Sequence, residues 1–305
     1  MDPRLTVAIF ALGLAFGSFL NVCIYRLPRG ISVIHPRSSC PQCQALIHFY
    51  DNVPVLSWLM LRGRCRHCRH AISPRYLAVE LLTAALFLLC YAQFGLTLSA
   101  LKCSVFGFFL LGLIFTDAET QLLPDKMTLP GLITGLAFSL VVPVNDVVSQ
   151  FLPALSSPAS PTSWRLLSFL DAVSGAAVGA SFIYGAGALY LRARGVEGMG
   201  FGDVKLMAMV GAFVGVRLTI LTIFAASLAG SLFGLWTLLS IWIKRTRRRI
   251  LRHHESVREA RRRAWVSAGI ALRHLPIPFG VFLGGMAMVA FLYGNRFLGL
   301  YWRLF

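Results

Sequence analysis

The chain has 305 residues, of which 57% are hydrophobic and only 13% charged, with a mean hydropathy of +0.70. Soluble globular chains carry about one quarter charged residues, so a water-soluble fold is excluded and an integral membrane protein is indicated. A formal charge of +17 would suit a nucleic-acid binder, but in a membrane chain Lys and Arg collect in cytoplasmic loops and set orientation.

The first segment, MDPRLTVAIFALGLAFGSFLNV, is apolar almost to Arg26 and has no small-residue cleavage site. It reads as a spanning helix rather than a cleavable signal. Further apolar segments near 77–95, 98–116, 127–144, 171–191 and 218–243 are of spanning length, with shorter ones at 204–216 and 277–294. About eight transmembrane helices follow, an all-α polytopic membrane fold. The 204–216 segment is too short to cross upright and is expected to be buried or partly re-entrant.

The loops divide by charge. Residues 26–75 carry eight Arg, 244–263 carry ten Lys or Arg, and 145–170, a Pro/Ser/Thr-rich connector, carries one Arg. With the basic loops cytoplasmic, eight helices alternate consistently and both termini lie outside. Three regions result: a first helix over 1–25, a cytoplasmic loop over 26–76, and a membrane core over 77–305 with an Arg-rich loop at 244–274. Its 244–264 run reads as an amphipathic helix on anionic lipid or as a solvated cytoplasmic loop. It lacks the interleaved aromatics of a nucleic-acid surface, so no nucleic-acid partner is expected.

Four of seven cysteines form the pairs CPQC (Cys40, Cys43) and CRHC (Cys65, Cys68), separated by 21 residues. Two such knuckles supply the four thiolates of a tetrahedral structural zinc site. Disulfides are the competing reading, and a reducing cytoplasm counts against them. Cys23, Cys90 and Cys103 read as buried small hydrophobes.

Two acids stand at the edges of apolar runs: Asp117 in FTDAETQLLPD, and Asp203 in EGMGFGDVK. Carboxylates at membrane depth are costly and usually functional. Two of them in one bundle can share a proton and activate water. The competing reading is a pair of ordinary helix-end acids. Gly200 and Gly202 leave room for an extended substrate beside Asp203. Asp125 is placed for the first turn of the next helix, and Glu119 as an exposed loop acid. Glu80 either neutralises a helix N-terminus or faces the site. Lys205 either pairs with Asp203 or Asp117, or anchors at headgroups.

The ordered set GSFLNVCIYRLP (Gly17–Pro28), RSSCPQC (Arg37–Cys43), DNVPVLSWL (Asp51–Leu59), LRGRCRHCRHAISPRYLAVELL (Leu61–Leu82), the Asp117 stretch, GMGFGDVK and PFGVFLGG (Pro278–Gly285) resembles the type IV prepilin peptidases. The resemblance covers nearly the whole chain. It implies a bacterial inner-membrane aspartyl protease, with its site facing the cytoplasm, acting for a type IV pilus or type II secretion system. Such enzymes cut the basic leader of prepilins and pseudopilins after Gly. They then N-methylate the new terminal residue, usually Phe, from S-adenosylmethionine. It further implies Asp117 and Asp203 as the catalytic pair and links the cysteine loop to methylation. The Arg-rich 244–274 segment looks enlarged relative to the family pattern, suggesting extra contacts with lipid or partner. No Gly-rich strand–turn–helix locates the S-adenosylmethionine pocket. A proton-coupled transporter using the intramembrane acids is the alternative, and a non-enzymatic scaffold a third reading.

Overall fold

A computed structural model describes residues 2–143, 163–195, 199–253, 256–273 and 278–304. The helices are α1 (Pro3–Arg26), α2 (Leu56–Met60), α3 (Arg75–Phe94), α4 (Leu98–Thr120), α5 (Asp125–Ser139), α6 (Ser163–Arg194), α7 (Phe201–His253), α8 (Val257–Arg273) and α9 (Phe279–Leu304). Among the described residues the only β pairing is two isolated bridges in the cysteine loop. Six helices are long and apolar enough to cross a membrane. The chain is therefore a multi-pass membrane protein.

A straight helix of α7's 53 residues would be about 80 Å long, far more than a bilayer core of about 30 Å. It does not run straight. Gly215 has φ 76° and ψ 177°, a conformation that only glycine adopts without strain. Gly175 of α6 lies against both Gly211 and Gly215, whereas Gly179, one turn further on, lies against both Met207 and Thr219. The two arms of α7 thus run in opposite directions along α6, folded back at Gly215. Counted separately, and with the 15-residue α5, they make up the eight apolar helices expected.

The 204–216 segment is buried, as expected. It is the short first arm of α7, and Leu206, Met207, Met209, Val210, Ala212, Phe213 and Val214 on it are buried. A helix apolar on every side belongs at the centre of a bundle. α5 runs parallel to it, Gly131 meeting Met209 and Gly135 meeting Phe213. Three expectations are corrected. The helix expected over 127–144 ends at Ser139, and the one expected over 171–191 starts at Ser163, inside the supposed connector. The remainder of that connector, 144–162, lies outside the described residues. Cys90 and Cys103 are not separate small hydrophobes but a disulfide joining α3 to α4.

The basic segment also departs from expectation. The end of α7 and α8 form an antiparallel helical hairpin rather than one helix lying flat. Ala260, Ala264 and Ala268, one turn apart, are fully buried, and the small stripe lets the two helices approach closely. Trp242 Nε1 donates to the Arg261 carbonyl at 3.1 Å, and the Trp242 and Trp265 rings meet edge to face at 5.9 Å.

Close glycine contacts fix the helix order. Gly13 and Gly17 of α1 rest on the backbone of Ala84 and Glu80 of α3, and an added Cβ at Gly211 would lie 2.1 Å from the Gly175 carbonyl oxygen. Because that obstacle is backbone, Gly211→Val is expected to destabilise the protein by about 3 kcal/mol, the upper end of ordinary overpacking costs. A lowered unfolding midpoint in detergent checks this.

Candidate active site and metal centre

One end of the bundle gathers the C-terminus of α4 and the N-termini of α5, α7 and α9. Asp117, in the last turn of α4, is 5% exposed, and Asp203, in the first turn of α7, is 9% exposed. Their carboxylates are close enough to act on each other electrostatically. Asp117 Oδ2 accepts the Val281 N–H at 3.1 Å, and the Gly280 N–H also serves it. These are first-turn donors of α9, groups left without partners inside their own helix. The Asp203 N–H donates to the Gly200 carbonyl at 3.1 Å. Each carboxylate therefore stands at a helix N-terminus, where the backbone dipoles favour negative charge.

Sequence reasoning gave Gly280 no part in the site. A Cβ there would lie 2.8 Å from Asp117 Oδ2, so only glycine lets α9 close onto the carboxylate. Gly202 serves a close approach too, its missing Cβ falling 2.9 Å from Leu123 Cβ in the Leu-Pro-Asp turn; beside Gly200 the space is open.

The other acids find partners the sequence did not reveal. Lys205 Nζ pairs with Asp125 at 2.6 Å rather than with Asp117, Asp203 or lipid headgroups, tying α7 to the start of α5. Asp125 is the first residue of α5, and Pro124 occupies the cap position. Glu119 is exposed as expected, but it lies in the last turn of α4 rather than in a loop, and Arg75 at the start of α3 pairs with it. Glu80 is buried and accepts the Val55 N–H at 2.7 Å. It neither caps α3 nor faces the aspartates; it holds the cysteine loop to the membrane helices. Val55 has φ 62°, strained for a β-branched residue.

The loop contains two copies of one knuckle. The Cys40 N–H donates to Ala45 O and the Gln44 N–H to Cys40 O; the Cys65 N–H donates to His70 O and the Arg69 N–H to Cys65 O. Bridges Ser39–Leu46 and Arg64–Ala71 close them, and Gln44 (φ 57°) and Arg69 (φ 60°) occupy equivalent left-handed positions. The sequence shows this repeat only as C-x-x-C, because Gln and Arg do not announce a left-handed residue. The four Sγ atoms of Cys40, Cys43, Cys65 and Cys68 lie within 4.8 Å of one another. Pairs at 3.9 and 4.0 Å are too far apart for disulfides. They approximate the edge of about 3.8 Å that four sulfurs at about 2.3 Å from one ion would define, so the cluster fits a tetrahedral metal.

N–H groups of Cys68 and then His67 pull the Cys65 thiol down to about 6. The His70 N–H favours the Cys68 thiolate, yet lost hydration and the sulfurs of Cys43, Cys65 and Cys40 push that thiol up to about 11. A metal takes its cysteine ligands as thiolates, so binding a dication here releases thiol protons. A bidentate ion pair, Arg66 to Asp51 at 2.5 and 2.7 Å, braces the second knuckle.

Buried acids facing each other at one end of a helix bundle, beside a four-thiol cluster, define a polytopic membrane protein with a paired-carboxylate site. Comparison with known proteins gives the family. The Bacterial Peptidase A24 N-terminal domain matches residues 11–94 and the Type IV leader peptidase family matches residues 104–235. Three similar proteins carry the name prepilin leader peptidase/N-methyltransferase. That of Myxococcus xanthus is 39% identical over 78% of this chain and 64% of its own length. That of Neisseria gonorrhoeae is 37% identical over 75% of this chain and 81% of its own length, and that of Aeromonas hydrophila 32% over 94% and 90%. No solved structure matches. The chain belongs to the type IV leader peptidase family, whose model match ends at Leu235, before the basic hairpin.

Arg69→Gly removes the roughly 1–2 kcal/mol that an L-residue pays in left-handed backbone and is expected to hold metal at least as well as wild type, whereas Arg69→Val, β-branched and worse suited to that conformation, is expected to weaken the second knuckle. Metal content after dialysis against a weak chelator checks this: the Val variant loses metal first.

Proposed function

We propose that the chain is a membrane aspartyl endopeptidase that removes the leader of type IV prepilins or pseudopilins after a glycine and then N-methylates the exposed residue. The observation that carries the reading is the facing pair Asp117 and Asp203, each at a helix N-terminus. Helix donors give Asp117 hydrogen bonds that an ionised carboxylate needs at a depth where a bare one is expensive. Two acids sharing one site do not both carry charge, and this reading gives the shared proton to Asp203.

A water between them gives a proton to Asp117 and attacks the scissile carbonyl carbon. Asp203 donates its hydrogen bond to the developing oxyanion. The tetrahedral species collapses, the C–N bond breaks, and the proton on Asp117 passes to the leaving amine. Water is the nucleophile, so no acyl-enzyme forms. Gly200 keeps the approach to Asp203 free of side chains for an extended substrate, while Gly202 lets the Leu123 side chain pack against the start of α7. The short α5 and first arm of α7 begin at this end, so a cleavage point at the membrane face needs no deep water channel.

S-adenosylmethionine, when bound, supplies the methyl group taken by the freed amine. Residues 26–76 form the methylation unit and 77–305 the peptidase core. Zinc held by Cys40, Cys43, Cys65 and Cys68 is structural, since four protein ligands leave no open position. Orientation follows from charge. The cysteine loop and basic hairpin face the cytoplasm of a bacterial inner membrane. Free thiols at the site end and the Cys90–Cys103 disulfide at the opposite end agree with the redox difference across that membrane. A proton-coupled transporter needs acids spaced along a path through the bilayer. Asp117 and Asp203 instead share one end, and none of the three relatives described is named as a transporter.

In a membrane extract with a purified prepilin, Asp117→Asn or Asp203→Asn is expected to lower leader cleavage at least about 100-fold, the scale of a lost acid–base group. Either variant cutting at the wild-type rate overturns the assignment. Gly280→Ala is expected to lower cleavage about 10-fold with expression unchanged, by pushing Asp117 off the α9 donors. Cys43→Ser is expected to abolish methylation and metal binding while most cleavage persists, seen as leader loss without a methyl in intact-mass spectra.

A further inference from the structure

The last turn of α1 carries a charge that the fold does not neutralise. Arg26 is 8% exposed, and among the described residues no carboxylate lies within ion-pair distance of it. A buried cation without a counter-charge is costly. Arg26 lines a cleft of about 310 Å³ between the last turns of α1 and the cysteine loop, together with Arg37. Phe19, Val22 and Val33 give the cleft apolar walls, Asn52 adds a polar edge, and no Asp or Glu is among its described lining residues. We propose that this cleft holds the phosphate of an anionic glycerophospholipid whose acyl chains run along the outer face of α1.

The two guanidinium groups suit a phosphate, which they can meet with paired N–H donors. The Arg26 guanidinium donates to Ser32 O at 2.9 Å and Arg37 O at 3.4 Å. These bonds fix its plane and use two of its five N–H donors, so donors remain for a ligand. Arg26 is held by the Arg37 carbonyl and not by the Arg37 side chain, which leaves that side chain to the cleft.

The acyl chains find a surface that leads into the same cleft. Leu12, Phe16 and Phe19, spaced at i, i+4 and i+7 and so on one helix face, are all exposed on a helix of membrane-spanning length. Phe108 of α4 fixes two of them, meeting Phe16 edge to face at 5.9 Å and stacking on Phe19 at 6.5 Å. The row ends at Arg26, in the turn where hydrocarbon gives way to headgroups. A free phosphate would use the arginines and ignore the row. A zwitterionic lipid would use the row but bring its own cation to the arginines. An anionic lipid uses both. In the orientation given above, this end faces the cytoplasmic leaflet, whose surface is negative. Lipid seated here would join α1 to residues 32–38 and so hold the first cysteine knuckle against the membrane.

The test is native mass spectrometry of the delipidated full chain in detergent, titrated with dimyristoyl phosphatidylglycerol or with dimyristoyl phosphatidylcholine. Wild type, Arg37→Gln and Val33→Trp are compared, and the thermal unfolding midpoint checks that each variant is folded. Wild type is expected to hold one phosphatidylglycerol at least about 10-fold more tightly than phosphatidylcholine, the scale of two arginines facing a headgroup. Arg37→Gln is expected to weaken phosphatidylglycerol binding about 5-fold, the share of one arginine, and Val33→Trp, which fills the cleft, at least as much. Equal affinity for the two lipids in wild type overturns the proposal, as does wild-type affinity in either folded variant. If Val33→Trp unfolds, Arg37→Gln decides, and an unchanged affinity there overturns the site. Displacement of the bound lipid by inorganic phosphate assigns the arginines to a free anion and overturns it too. The peptidase reading stands apart from all of these outcomes, since neither variant touches the aspartates.

Discussion

A carboxylate near hydrocarbon must be met by donors that do not depend on bulk water, and the contact of Asp117 with the first turn of α9 meets that demand. The Val281 N–H, which its own helix cannot use, is satisfied by the Asp117 oxygen that needs it, with the Gly280 N–H beside it serving the same carboxylate. Much else in the bundle is arranged so that this contact can form. α9 must start at the depth where α4 ends, residue 280 must lack a side chain, and α7 must begin beside them to bring in Asp203. A helix N-terminus is a preorganised, fixed-charge environment, and catalysis of a charge-separating hydrolysis draws on that fixity.

Glycine contacts hold the frame that makes such an arrangement possible. Apolar side chains gain little by leaving lipid for one another, so association depends on close packing of backbones. α6 on α7 and α1 on α3 show this, through Gly175–Gly211 and Gly17–Glu80. The reversal at Gly215 converts one long apolar stretch into two arms. It buries the short arm and brings Asp203 to the end where Asp117 waits. The cysteine loop is then pinned to the same end by two polar contacts, Val55 to Glu80 and Arg75 to Glu119. The thiol cluster and the two acids are thereby held toward one end of the bundle.

Much of this was legible in the sequence because the signals are local. Apolar run length located the helices, C-x-x-C spacing located the thiol cluster, and an acid at the edge of an apolar run located each aspartate. What stayed hidden depends on partners distant in sequence. Lys205 and Asp125 are 80 residues apart, and nothing in either neighbourhood selects the other. Gly280 sits in an apolar run where one more glycine carries no signal, although it shapes the site. Gln44 and Arg69 adopt left-handed backbone without being glycine or asparagine, so the two cysteine knuckles were legible but the left-handed turn they share was not. The basic hairpin read as a single amphipathic helix because its Ala260, Ala264 and Ala268 stripe is too weakly apolar to announce a packed face.

The central claim is that Asp117 and Asp203 act as one unit on one water. A double-variant cycle on leader cleavage tests it most directly, with Asp117→Asn, Asp203→Asn and the two combined assayed against the same prepilin. Groups that share a single catalytic step are strongly non-additive, so the account predicts that the double variant cleaves no more slowly than the worse single variant. Losses that multiply, each variant subtracting its own independent share, would show two separately acting acids and contradict the shared-proton mechanism.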